Sequence, residues 1–150
     1  SMKDPGFPTS VSHVATGDKS VKESFKYADI THAVIGRAIE VHKTLGNGFQ
    51  EVIYQRALEI ELKGMSIPHT RESEIPIFYK GHAIGSRRVD FLIDHKIMVE
   101  LKAIIQLEDV HLAQALNYLE AFNLEIGLLI NFGSKTLQFK RLLNKKYDRD

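Results

Sequence analysis

The stretch from Arg88 to Ala103, Arg-Val-Asp-Phe-Leu-Ile-Asp-His-Lys-Ile-Met-Val-Glu-Leu-Lys-Ala, constrains the fold of this chain more than any other. Two short runs rich in apolar and β-branched residues flank Asp94, His95 and Lys96, the pattern of a β-hairpin closed by a three-residue loop. Pairing Ile93 with Ile97 sets Asp90 opposite Glu100, and alternation puts Lys102 on the face of Glu100. Directly opposed side chains have Cβ atoms roughly 4.5–5.5 Å apart, where like charges repel. Two carboxylates facing each other beside an ammonium therefore require compensation. A bridging divalent cation is one answer. The other is a solvated face with diagonal ion pairs, Asp90 with Lys102 and Arg88 with Glu100. A register slip of one residue would send the two carboxylates to opposite faces.

At 150 residues, 43% hydrophobic and 26% charged, the chain has the length and composition of one globular domain with a real core. A net charge of +1 gives no global electrostatic case for nucleic-acid binding, so any polyanion must be held by a local patch. Lys80, Arg87 and Arg88 beside the hairpin form one candidate patch; Lys135, Lys140, Arg141, Lys145 and Lys146 form another. Surface lysines are common, and each cluster alone is more often a solvated face. Cysteine is absent, which excludes disulfides and thiolate metal sites and agrees with a reducing cytoplasm. No apolar run approaches the roughly 20 residues of a membrane span. The opening Ser-Met-Lys-Asp-Pro-Gly lacks a signal-peptide core, and Ser before Met reads as a tag-cleavage scar. The expectation is a soluble, cytoplasmic protein.

Residues 1–24, with Pro, Gly, Ser and Thr and little apolar periodicity, read as a flexible leader. Over 27–45, Ile30, Val34, Ala38, Val41 and Leu45 recur at three- and four-residue steps, predicting an amphipathic helix ended by Gly46, Asn47 and Gly48. A second helix is expected over 50–63, stopping at Gly64. Residues 67–79 read as extended, with Pro76 pointing to an edge strand or a bulge. Lys80, Gly81 and His82 make a turn, and strands follow over 84–93 and 97–104. A helix over 108–122 carries Leu112, Leu116 and Leu119 on one stripe. The continuous apolar run 126–132 reads as a strand buried on both faces. Residues 136–142 alternate as a last strand, before a basic tail over 144–150 that can fray. The order α-α-β-β-β-α-β-β predicts an α/β domain over 25–143, a mixed sheet flanked by helices.

Glu51, Tyr54 and Leu58 share one helical stripe, which Leu62 extends. A carboxylate in line with those leucines points toward packed structure, costly for an unpaired ion. The alternative is a first-turn Glu favoured by the helix dipole, its head in water. His42, among Ile35, Ala38, Ile39 and Leu45, reads as a packing residue and His95 as an exposed one. His111, one turn before Gln114, faces either a cleft or solvent. The seven histidines show no pairing at zinc-ligand spacing. Phe122, Phe132 and Phe139 read as core.

The string Leu45-Gly-Asn-Gly-Phe-Gln-Glu51-Val-Ile-Tyr54, followed by Leu58 and Glu61-Leu62, resembles the family named for its GxxExxY motif. That family is grouped with the PD-(D/E)XK nuclease-like superfamily. The likeness continues in order through Tyr79-Lys-Gly, Asp90, Glu100-Leu-Lys102-Ala, Gln114-Ala-Leu-Asn-Tyr118-Leu, Gly127-Leu-Leu-Ile-Asn-Phe-Gly133 and Lys140-Arg141, covering 27–142. It implies a restriction-endonuclease-like αβββαβ core. It also implies Mg²⁺-dependent hydrolysis of phosphodiester bonds, in DNA before RNA. By this resemblance Asp90, Glu100 and the Leu101 carbonyl are ligands for Mg²⁺ or Mn²⁺, and Glu51 adds a carboxylate from the preceding helix. Lys102 would orient the attacking water or steady charge on the phosphate. Gln114 matches a polar position on the helix after the E-x-K strand, Tyr118 does so more loosely, and Tyr54 is a supporting residue.

Val89 stands where the literal motif has Pro. Hard oxygen ligands suit these ions, which activate water and neutralise a phosphoryl oxygen. Without the cation, mutual repulsion is expected to raise the proton affinity of the Asp90–Glu100 pair. The rival reading is a non-cleaving nucleic-acid- or protein-binding module of the same fold. A purely structural acidic cluster is a third, against which Lys102 argues. A homodimer follows by analogy with small nucleases that pair to cut two strands.

Overall fold

Val34, Ala38 and Val41 form the buried stripe of helix α1 (Ala28–Leu45), and Tyr54, Leu58 and Leu62 that of α2 (Glu51–Gly64). The computed structural model describes residues 27–149, so the leader expected over 1–24 lies outside the described residues. Between the helices the chain turns at Gly46, whose φ of 80° lies in the left-handed region that glycine tolerates. The buried Tyr54 hydroxyl pins this turn. It donates to the Gly46 carbonyl at 2.6 Å and accepts from the Phe49 N–H at 3.1 Å, while its ring stacks on Phe132 with centroids 4.7 Å apart.

Strands β1 (His69–Tyr79), β2 (His82–Ile93) and β3 (Ile97–Lys102) come next, then helix α3 (Asp109–Ala121) and strands β4 (Ile126–Asn131) and β5 (Gln138–Leu143). The expected α/β order is therefore observed. The five strands lie side by side in chain order, with β3 and β4 parallel across the α3 crossover and the other neighbours antiparallel. β1 takes the edge position that suits Pro76, with a register shift between Ile77 and Phe78. Ile93 pairs with Ile97, the register expected from the loop. β4 is buried along its whole length.

Strand ends differ from expectation by one or two residues. β1 starts at His69, β2 starts at His82 inside the expected turn, and β4 stops at Asn131. Two further shifts have a clear side-chain cause. β3 stops at Lys102 because the buried Asn131 side chain captures the next turn: its Oδ1 accepts from the Ile104 N–H at 2.9 Å and its Nδ2 donates to the Ile104 carbonyl at 2.9 Å. β5 starts at Gln138, since the Ser134 hydroxyl donates to the Thr136 carbonyl at 2.6 Å and holds that segment as a turn. Residues 144–149 fold back onto the segment before β4. Asn144 donates from its backbone to the Glu125 carbonyl and from its side chain to the Leu124 carbonyl, and Arg149 pairs with Glu125 at 3.0 Å.

Core side chains fall on both faces of the sheet. Phe91, Ile93, Val99, Leu101, Leu128 and Ile130 meet α1 and α2; Val89, Met98 and Leu129 meet α3 through Ala115 and Leu119. Strict alternation would put Val89 on the face of Phe91, yet the two lie on opposite faces. The break is at Asp90. Arg71 pairs with Phe91 and Ser73 with Val89, but the intervening Glu72–Asp90 pair is missing, and Glu72 has a left-handed φ of 57°. β1 changes face at the same level: His69 and Arg71 contact Glu59 on α2, whereas Ile75 packs in the cluster under α3. A matched kink thus turns over the outer halves of both strands. Among the described residues, no helix is long and apolar enough to cross a membrane.

The tightest backbone approach is at Gly133, where an added Cβ would lie 2.4 Å from the Ile104 nitrogen and oxygen. Gly133→Ala is expected to destabilise the fold by about 1–3 kcal/mol, the usual cost of overpacking. Thermal denaturation checks this, and an unchanged melting temperature would refute the close approach.

Candidate active site

The β2–β3 ladder runs from Ile93↔Ile97 to Phe91↔Val99 and stops. At the next step, where Asp90 and Glu100 face each other, side chains replace backbone acceptors. The Leu101 N–H donates to Asp90 Oδ2 at 2.8 Å, and the Asp90 N–H donates to Glu100 Oε1 at 3.3 Å. In an extended strand the N–H and carbonyl of one residue project from the same edge, so the Leu101 carbonyl faces this gap too. Glu51 and Gln55, one turn apart on α2, approach from the helical side, where Gln55 Nε2 donates to Asp90 Oδ1 at 2.8 Å. Gln55 Oε1 is buried with no hydrogen-bond partner among the described residues.

Glu100 is 3% exposed, so the pair does not sit on a solvated face. Neither diagonal ion pair forms. Arg87, not Arg88, meets Glu100, with Nη2 2.9 Å from Oε2, while Arg88 lies 3.6 Å from Glu74. The kink at Asp90 is the reason, because it carries odd-numbered β2 residues to the α3 face that Glu100 shares. The Arg87 guanidinium rests 4.7 Å from the Tyr118 ring centroid, and Tyr118 stacks on Phe122. Among the described residues Lys102 forms no ion pair and acts on its neighbours through space, lowering the proton affinities of Glu51 and Asp90.

Three carboxyls here bind protons more tightly than usual. Glu51 is pushed from 4.5 up to about 7 by burial first and Asp90 second, with Lys102 opposing. Asp90 is raised by burial against the hydrogen bonds from Leu101 and Gln55. Glu100 is raised by burial, with Asp90 adding and Arg87 opposing. The expected rise in the pair is present, but desolvation rather than mutual repulsion is its main cause. Burial, the largest single influence, would lower the Arg87 value; the bond to Glu100 together with the charges of Glu100, Tyr118 and Asp90 raises it.

The remaining expected residues are placed as follows. Tyr118 joins the site through Arg87, while Gln114 is exposed one helical turn away and makes no hydrogen bond among the described residues. Tyr54 holds the glycine turn rather than the carboxylates. His111 Nδ1 accepts from the Glu108 N–H at 2.9 Å, closing a capping box on α3, so it is a cap and not a cleft residue. His42 Nε2 lies 2.9 Å from the Ser134 carbonyl, as a packing residue does, and His95 is exposed. Gln55 and the pairing of Arg87 are absent from the sequence-based set. The spacing of Gln55 four residues after Glu51 is a readable signal; the kink that brings in Arg87 is not.

The donor set suits a hard divalent ion: carboxylate and carbonyl oxygens, an acidic excess marked by three raised carboxyls, and an orphaned amide oxygen at Gln55. Among the described residues no three Asp, Glu or His side chains are gathered in a ready metal-holding group. Glu100 is engaged by Arg87, and Asp90 by Gln55 and Leu101.

A mixed sheet between helices, with an Asp and a Glu-x-Lys where two strands part, defines the restriction-endonuclease-like class of α/β folds. The chain belongs to the PD-(D/E)XK nuclease superfamily, whose family profile matches residues 28–142. The solved structure titled "Crystal structure of SSO0001" is similar at 21% identity and a TM-score of 0.48, the match covering 81% of this chain and 61% of that one. No curated protein matches the chain.

A carboxyl with a folded-state value above its unfolded one keeps a proton that the unfolded chain has lost. Its contribution is complete at low pH and is lost as pH rises from 4.5 through about 7, and the raised Asp90 and Glu100 act in the same sense. Solvent screening trims the effect at Glu51, which is exposed as a residue. In metal-free buffer, Glu51→Gln is therefore expected to flatten the fall in urea midpoint between about pH 5 and about pH 8. Parallel curves for the two proteins would contradict the assignment.

Proposed function

We propose that this protein is a metal-dependent nuclease of GxxExxY type that hydrolyses phosphodiester bonds in DNA. The observation that carries the reading is the end of the β2–β3 ladder one step short of Asp90 and Glu100, so that two carboxylates and the Leu101 edge open on one gap. Mg²⁺ or Mn²⁺ held by Asp90, Glu100 and the Leu101 carbonyl, with Glu51 as a further ligand, would supply Lewis acidity and a lowered pKa for bound water. Lys102 offers an ammonium, with no ion pair among the described residues, to the negative charge that grows on the phosphate. In the metal-free protein Glu51, pushed up to about 7, holds a proton near neutral pH that a bound cation would displace. Water adds to phosphorus as it releases a proton to solvent, the bond to the leaving sugar oxygen breaks, and that oxygen takes up a proton from solvent. Two copies acting together would serve both strands of a duplex.

The rival, a binding module that does not cleave, draws support from the Arg87–Glu100 pair, which neutralises Glu100 without any metal. Cleavage assays on plasmid, single-stranded and branched DNA and on RNA, with Mn²⁺ or Mg²⁺, separate the two. Wild type is expected to cut, and Glu100→Gln or Lys102→Ala to slow cutting by about a hundredfold or more. Equal cutting by the variants, or none by wild type, would favour the module.

A further inference from the structure

We infer that Arg87 is a displaceable counter-ion, which neutralises Glu100 until a divalent cation takes that carboxylate, so that guanidinium and metal compete for it. The inference rests on the nuclease reading and goes beyond it. A buried carboxylate needs a partner, because an uncompensated charge there costs several kcal/mol. Among the described residues Arg87 is the cation paired with Glu100, through Oε2 at 2.9 Å. The other oxygen, Oε1, accepts from the Asp90 N–H at 3.3 Å. A cation coordinating Glu100 from the gap would stand against the guanidinium, and two positive groups at one carboxylate repel.

Arg87 also has the means to leave. Its side chain is 35% exposed, and it lies on the outer half of β2, beyond the kink, where β2 no longer pairs with β3. Its Nε is buried without an acceptor among the described residues, so its present position leaves a donor unsatisfied. On its far side it meets the Tyr118 ring, a contact that tolerates sliding better than a fixed hydrogen bond does. Once released, the planar fork of N–H donors matches the oxygens of a phosphate. Metal loading would then exchange an internal ion pair for a substrate contact.

Calorimetric titration with Mn²⁺ tests this without reference to cleavage, using wild type, Arg87→Met and Arg87→Lys, with melting temperatures measured with and without the ion. Arg87→Met is expected to bind Mn²⁺ about tenfold or more tighter, the scale of one lost charge-assisted hydrogen bond. It should also melt lower than wild type without metal and gain more on adding it. Arg87→Lys, with a compact ammonium in place of the fork, should fall between, and it decides the matter if the Met variant does not fold. Variants that bind Mn²⁺ no tighter than wild type would overturn the competition and make Arg87 a fixed orienting group, leaving the metal site intact. Absence of Mn²⁺ binding in all three proteins would remove the metal reading and this inference together.

Discussion

A carboxylate taken out of water has to find donors, and the arrangement around Asp90 and Glu100 follows from that requirement. Asp90 collects the Leu101 N–H and the Gln55 amide; Glu100 collects the Asp90 N–H and the Arg87 guanidinium. The donors come from α2, β2 and β3, so the two acids tie α2 and the kinked β2 to β3, with α3 joined through Tyr118. Both groups remain hard to ionise even so, because desolvation outweighs these bonds. The fold thus holds an acidic centre whose own partners only partly compensate it, as expected where a mobile cation completes the charge balance.

The surrounding scaffold is rigid where it meets Lys102. The Lys102 carbonyl accepts from the Phe132 N–H at 2.8 Å, and Asn131 clamps the turn that follows. Asn131 also reaches Gly133, Ser134 and Gln138, joining β4, the turn before β5 and the end of β3 in one buried network. A fully satisfied polar network of this kind specifies one geometry. The backbone of Lys102 is consequently fixed while its ammonium carries no ion pair among the described residues, an arrangement suited to aiming a charge.

Much of this was legible in sequence because local rules held. Period-two alternation and the Asp94–Lys96 loop give the β2–β3 register, and helical spacing gives the buried stripe from Tyr54 to Leu62. The same rule fails at Arg87. Alternation places Arg88 beside Glu100, but the paired irregularity at Glu72 and Asp90 inverts the outer strand. Nothing in the residue types around Glu72 announces a left-handed backbone, since glycine is absent there. Gln55 was within reach, one turn beyond Glu51, yet its partner 35 positions along the chain emerges only from packing. The docking of residues 144–149 likewise depends on long-range hydrogen-bond partners at Asn123, Leu124 and Glu125 that a run of basic residues does not reveal.

Asp90 and Lys102 differ in what the fold demands of them. Asp90 stands in for a missing strand partner by accepting the Leu101 N–H, so removing it leaves a buried donor unsatisfied whether or not the protein performs chemistry. Lys102 closes no such bond. If the proposed activity were lost, a descendant of this chain would still be held to Asp90 by selection for folding, while its lysine drifted freely. On the proposed nuclease reading, the ammonium, rather than the acid on the neighbouring strand, is therefore the residue whose retention would mark an activity.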